Sequence, residues 1–172
     1  MIVEMRNEAN IPFLREFCQE IKNKIGEEIT LVEIGSYSGQ SAEIFAQEFP
    51  QGKIYCIDPW LKGYDPLDIA ASSNMMEVEK EFDKRALNYS NIIKIKGFSL
   101  AHNIPCDGVY IDGIHTYGGV KNDINHWKNF AKKFISGHDY YDEKTWEGVF
   151  KAVNEYGIPD KIFGDSSWLK WK

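Results

Sequence analysis

What most constrains this chain is a regular alternation: short apolar runs, each halting at a glycine or an aspartate, separated by segments whose apolar residues recur at helical spacing. The runs are Thr30–Ile34, Lys53–Ile57, Ile92–Lys96, Gly108–Ile111 and Phe134–Ser136, and the chain closes with Lys161–Phe163 and Ser167–Trp171. Between them, Ser41, Ile44, Phe45 and Phe49, then Met75, Val78 and Phe82, then Val120, Ile124, Trp127 and Ala131, then Val149, Ala152, Val153 and Tyr156 each mark one face of a helix. An opening helix is marked by Ile11, Leu14, Phe17, Cys18, Ile21 and Ile25, with Gly26 as its stop. Strands that alternate with helices fold into a doubly wound, mostly parallel sheet. The last two strands have no helix between them, so the expected architecture is a seven-stranded α/β sheet with an antiparallel edge strand.

The 172 residues suit one domain over 1–172, with an N-terminal helix over 1–27 and a lid loop and helix over 61–90. Cys18, Cys56 and Cys106 are odd in number and far apart, which argues against a disulfide framework and for a reducing, cytoplasmic setting. Lys plus Arg number 20 against 26 for Asp plus Glu, and no basic cluster tracks a phosphate backbone, so nucleic acid is not an expected partner. No apolar run approaches a membrane span and Met1–Asn10 has no apolar signal core, so no membrane association is expected either.

In an open α/β sheet, ligands bind beyond the carboxyl ends of the strands. The first strand ends in Gly35-Ser-Tyr-Ser-Gly39, where Tyr37 stands in the place of the second glycine of the dinucleotide fingerprint. That glycine lets backbone approach a pyrophosphate, and a tyrosine side chain obstructs it. Asp58 lies 23 residues after Gly35 at the end of the next strand, suited to accept hydrogen bonds from ribose hydroxyls. An adenosine held without phosphates points to S-adenosylmethionine (SAM), and Trp60 stands where an aromatic could cover it. The plainer alternative makes Gly35 and Gly39 turn glycines and Asp58 a cap.

Asp112 and Asp139 end two runs expected to be neighbours, so their carboxylates could converge on a hard divalent cation such as Mg²⁺. His115, three residues beyond Asp112, would take a hydroxyl proton that a metal has made more acidic. Here too a plainer reading stands: Asp112-Gly113 is a good turn dipeptide, and a single loop histidine is often structural.

Together, Leu31–Ser41, Ile57–Trp60, Tyr110–Tyr117 with Asp123–Trp127, and Ser136–Tyr140 with Trp146–Val149 resemble the class I SAM-dependent methyltransferases, whose sheet is Rossmann-like. Within that class the chain looks like the branch of macrocin- and mycinamicin-type sugar O-methyltransferases. The resemblance implies that Glu33, Gly35, Ser36, Tyr37 and Ser41 line the methionine and ribose part of SAM, that Asp58 holds the ribose, and that Ser99 sits near the adenine. It also implies a metal held by Asp112 and the pair His138 and Asp139, with His115 as base, acting on a small-molecule hydroxyl such as that of a sugar. A cover for the acceptor must then come from the loop 61–74, the opening helix, or another subunit of a homo-oligomer. Two rival readings are a non-catalytic SAM-binding or interaction module and an NAD-dependent oxidoreductase; Tyr37 speaks against the second.

Overall fold

The computed structural model describes residues 8–141 and 146–172; the first seven residues of the expected N-terminal segment lie outside them. The elements run α1 (Ile11–Ile25), β1 (Thr30–Ile34), α2 (Gln40–Glu48), β2 (Lys53–Asp58), α3 (Met75–Ala86), β3 (Ile92–Lys96), β4 (Cys106–Ile111), α4 (Tyr117–Trp127), β5 (Ala131–Gly137), α5 (Glu147–Tyr156), β6 (Lys161–Ile162) and β7 (Trp168–Trp171). The seven strands form one sheet in the order β3-β2-β1-β4-β5-β7-β6. Strands β1 to β5 are mutually parallel, and β7 runs antiparallel to both β5 and β6. The expected α/β sheet is therefore present, with its antiparallel strand second from the edge.

Side chains of a strand alternate between faces, and the sheet uses both. Leu31, Ile54, Tyr110 and Phe134 point to one side, where they meet Leu14, Phe17, Phe45 and Phe82 of α1, α2 and α3. Val32, Ile57, Val109 and Ile135 point to the other, against Val120, Ile124 and Trp127 of α4 and Val149 and Val153 of α5. Covered on both faces, the sheet leaves the carboxyl ends of its parallel strands as the place where polar groups can gather without crossing the core.

One helix boundary differs from the sequence reading. Ala131 continues the helical spacing of Trp127, yet α4 ends at Trp127, a turn closes through Phe130 N–H to Trp127 carbonyl (2.9 Å), and Ala131 opens β5 opposite Cys106. Nothing between them is a Gly or Pro, so periodicity alone carried the helix too far. Among the described residues no helix is long and apolar enough to cross a membrane.

Candidate active site

The loop after β1 is forced into a tight path. Gly35 has φ +84°, and a Cβ there would lie 1.9 Å from the Asp112 carbonyl oxygen, so only glycine lets β1 leave the sheet beside β4. Tyr37 takes φ +46°, a left-handed conformation costly for a side chain of its size. It is held there by neighbours: its N–H donates to Asp58 Oδ2 (2.9 Å), Trp60 N–H donates to Asp58 Oδ1 (2.6 Å), and the Trp60 indole N–H donates to the Tyr37 carbonyl (2.8 Å). Burial pushes the Asp58 carboxyl up to about 6, although these two N–H groups pull the other way. Beneath the loop, Glu33 is fully buried and accepts from the Ser36 hydroxyl (2.6 Å) and the Ser41 hydroxyl. Burial outweighs those bonds and raises its pKa to about 7.

Under this loop opens a cavity of about 410 Å³, the size of a small-molecule site. Gly35, Ser36, Tyr37, Ser41 and Asp58 line one part of it, and Asp112, His115, His138 and Asp139 line another. The loop between β2 and α3 forms a wall through Tyr64, Asp65, Asp68, Ala70 and Ala71, and Asn10, ahead of α1, adds to the rim. The loop and the opening segment thus wall the cavity.

The acidic end is tightly organised. His115 is 7% exposed; its Nδ1 lies 2.5 Å from Asp65 Oδ2, and its Nε2 lies 2.8 Å from Asp139 Oδ2 and 3.6 Å from Asp112 Oδ1. The approach of Asp139 is close but not aimed as a hydrogen bond, so Nε2 is a buried nitrogen with no directed partner among the described residues. Burial opposes charge on this ring, but Asp112, Asp139 and Asp65 around it prevail and push its pKa up to about 12. Conversely, burial would raise the Asp139 carboxyl, yet His115 and His138 hold it well below the usual carboxylate range. His138 Nδ1 stands 3.3 Å from Asp139 Oδ2 and 4.0 Å from Asp112 Oδ1. One ligand atom each from Asp112, His138 and Asp139 fall within 4.8 Å of one another, a donor set of two oxygens and one nitrogen that fits a divalent cation.

Seven of the sequence-selected residues thus meet in one cavity with His115 and Asp112, while three do not reach it. Glu33 lies under the loop and braces Ser36 and Ser41. Trp60 turns into the core through φ +44° and packs on Phe82, ring centroids 5.0 Å apart. Ser99 is buried between Asp123 Oδ1 (2.5 Å) and the Trp127 indole N–H (2.8 Å). The sequence reading missed Asp65, whose only signal was its turn-forming neighbour Pro66, and Trp146, whose ring lies 4.6 Å from that of His115.

A parallel sheet closed by a β6–β7 hairpin, with a glycine-bounded loop and an acidic strand end beside it, defines a class I methyltransferase fold. A family profile described as "Methyltransferase domain" matches residues 32–140, well over half the chain, and the chain belongs to this family of SAM-dependent methyltransferases. It is 29% identical over 140 residues to an uncharacterized protein of Acanthamoeba polyphaga mimivirus, covering 75% of this chain and 59% of that protein's length. Among solved structures, it resembles a precorrin-6y C5,15-methyltransferase from Geobacter metallireducens GS-15 (TM-score 0.61, 14% identity, covering 92% of this chain and 88% of that one). It also resembles the N-methyltransferase NodS from Bradyrhizobium japonicum WM9 (TM-score 0.55, 14% identity, 92% and 93% covered). At such identities the likeness is one of fold, and these neighbours differ in the atom they methylate.

Proposed function

We propose that this chain transfers the methyl group of SAM to a hydroxyl of a small acceptor, with a sugar of the kind met by the macrocin-type enzymes as the first candidate. The observation that carries the reading is the meeting, in one cavity, of Asp112, His138 and Asp139 with the undirected Nε2 of His115. A neutral hydroxyl must give up its proton to become an ether, and with a cation bound this end of the cavity has the groups to receive it. The charged side chains that line the cavity among the described residues are carboxylates and histidines, which favour a neutral or cationic acceptor over a phosphorylated one.

Asp112, His138 and Asp139 would hold a divalent cation, which when bound supplies positive charge that acidifies the acceptor hydroxyl and offsets the carboxylates now keeping His115 protonated. His115 would then accept the hydroxyl proton at Nε2 while Nδ1–H stays on Asp65. As the oxygen–carbon bond forms, the carbon–sulfur bond of the sulfonium breaks, leaving S-adenosylhomocysteine and a methyl ether. Asp58 would receive the ribose hydroxyls, and the Gly35–Ser41 loop would carry the methionine end. Alignment of the two reactants supplies much of the rate, because the sulfonium is already activated.

Calorimetric titration with SAM, S-adenosylhomocysteine and NAD, each with Mn²⁺, with Mg²⁺ and with chelator, tests this. Both adenosyl ligands should bind and NAD should not, and ligand at about 100 times Kd should add roughly 2.7 kcal/mol of stability. Binding of NAD alone would refute the assignment.

A further inference from the structure

We propose that Asp65 is the positioning residue of His115, so that closing the loop between β2 and α3 over the cavity and fixing the imidazole are one event. Asp65 is only 4% exposed although it sits mid-loop. Its Oδ2 accepts from the His115 backbone N–H (3.0 Å) and from Nδ1–H (2.5 Å), while its Oδ1 accepts from Leu67 N–H (2.9 Å). One carboxylate therefore joins the ring, the backbone that follows β4, and the turn of its own loop. A carboxylate only accepts, so Asp65 holds Nδ1–H and orients the ring with Nε2 turned toward Asp112 and Asp139 at the cavity. With Asp65 withdrawn, the ring loses the bond that fixes its orientation.

The rest of the loop shows why this tie carries the closure. At its base, Gly63 (φ +73°) donates its N–H to the Ala71 carbonyl (2.8 Å), giving a neck about which the segment can swing. Its outer side chains Leu61, Leu67 and Ile69 are 53%, 56% and 79% exposed and so contribute little to holding it down. A second polar tie among the described residues is longer, from the Tyr37 hydroxyl to Ser73 Oγ (3.2 Å). A ligand that enters beneath Tyr64, Asp65 and Asp68 must pass this wall, and the wall in its closed position holds His115 in its working orientation.

The catalytic consequence rests on His115 being the base; the coupling itself does not, and the experiment separates them. In ¹⁵N-histidine-labelled protein, the His115 ring resonances, assigned by their absence from His115→Gln, are compared in wild type, Asp65→Ala and Asp65→Asn at one pH with chelator. Hydrogen exchange of residues 61–74 is followed in the same samples. Loss of a charge-assisted bond should speed exchange of the loop amides about tenfold or more in Asp65→Ala. The Nδ1 signal should lose its hydrogen-bonded character, and Asp65→Asn, which still presents an acceptor oxygen, should restore part of both effects. An unchanged His115 ring in Asp65→Ala overturns the proposal, as does faster loop exchange with the ring unmoved, because Asp65 would then only shape its own turn. Should Asp65→Ala not fold, the ring signal in Asp65→Asn decides the same question. Turnover by His115→Ala would remove the base assignment and leave the coupling standing.

Discussion

Glu33→Gln should change how the stability of this protein depends on pH. Glu33 is fully buried and its carboxyl is raised from 4.5 to about 7, chiefly by burial. A carboxyl that holds its proton more tightly in the folded chain than in the unfolded one stabilises the fold at low pH. That stabilisation is complete below about pH 4.5, fades as pH rises toward 7, and is absent above it. With these two values the contribution is about 2 kcal/mol at about pH 5.5 and close to zero at about pH 8.5. Glutamine does not titrate, and it can still accept from one of Ser36 and Ser41 while donating to the other. Urea unfolding followed by tryptophan fluorescence, at those two pH values and with chelator, should show wild type losing about 2 kcal/mol relative to Glu33→Gln on going from the acidic to the basic condition. The comparison cancels the similar, lower-pH contribution of Asp58. Parallel pH profiles for the two proteins would refute the reasoning, because Glu33 would then be as easily ionised in the fold as outside it.

Asp58→Ala should weaken S-adenosylhomocysteine binding by roughly 1 to 3 kcal/mol in calorimetry, and should also lower the melting temperature, because the part-buried Tyr37 N–H and the buried Trp60 N–H lose their acceptor. An unchanged Kd with a lowered Tm would confine Asp58 to its capping role. His138→Asp, which makes the donor set all oxygen, should shift metal preference from Mn²⁺ or Zn²⁺ toward Mg²⁺ in competitive titrations; unaltered selectivity would exclude His138 from the ligands. On an acceptor found by screening hydroxylated compounds, His115→Ala should lower kcat by roughly 10² to 10⁴ while leaving S-adenosylhomocysteine affinity nearly intact.

The sequence disclosed the sheet because the inner parallel strands, buried on both faces, read as short apolar runs, and each run, including the half-exposed edge strand β3, stops abruptly at a glycine or an aspartate. The same abruptness exposed Asp58, Asp112 and Asp139, since in such a sheet the residue that ends the run is the residue at the crevice. What the chain does after that point was less legible. Trp60 follows Asp58 by two residues, yet a left-handed turn sends its ring to Phe82 and away from the cavity, and no propensity announces a positive φ at tryptophan. Ser99 lies just past β3 but faces α4, where Asp123 and Trp127 receive it. Asp65 meets His115 across 50 residues of sequence, from a loop with no periodicity to read.

The backbone conformations gather this chemistry further. The described non-glycine residues with positive φ are Tyr37, Trp60, Asp139 and Ser166. Each such residue costs on the order of 1 kcal/mol or more, and it persists only where its surroundings over-determine it. Tyr37 and Trp60 are fixed by the Asp58 carboxylate. Asp139 (φ +59°) sits where the chain turns directly after β5, with Tyr141 N–H on its carbonyl (2.9 Å). Ser166 directly follows Asp165, whose Oδ2 lies 3.9 Å from His138 Nε2, and its carbonyl accepts from Tyr140 N–H (3.1 Å). All four strained positions therefore stand at the carboxyl edge of the sheet or in the hairpin that abuts it. The core strands hold Asp58, Asp112 and His138 at their ends, and the strain is spent on what regular strands cannot do, which is to fold the next residues back so that Tyr37, after β1, and Asp139, after β5, face the same cavity.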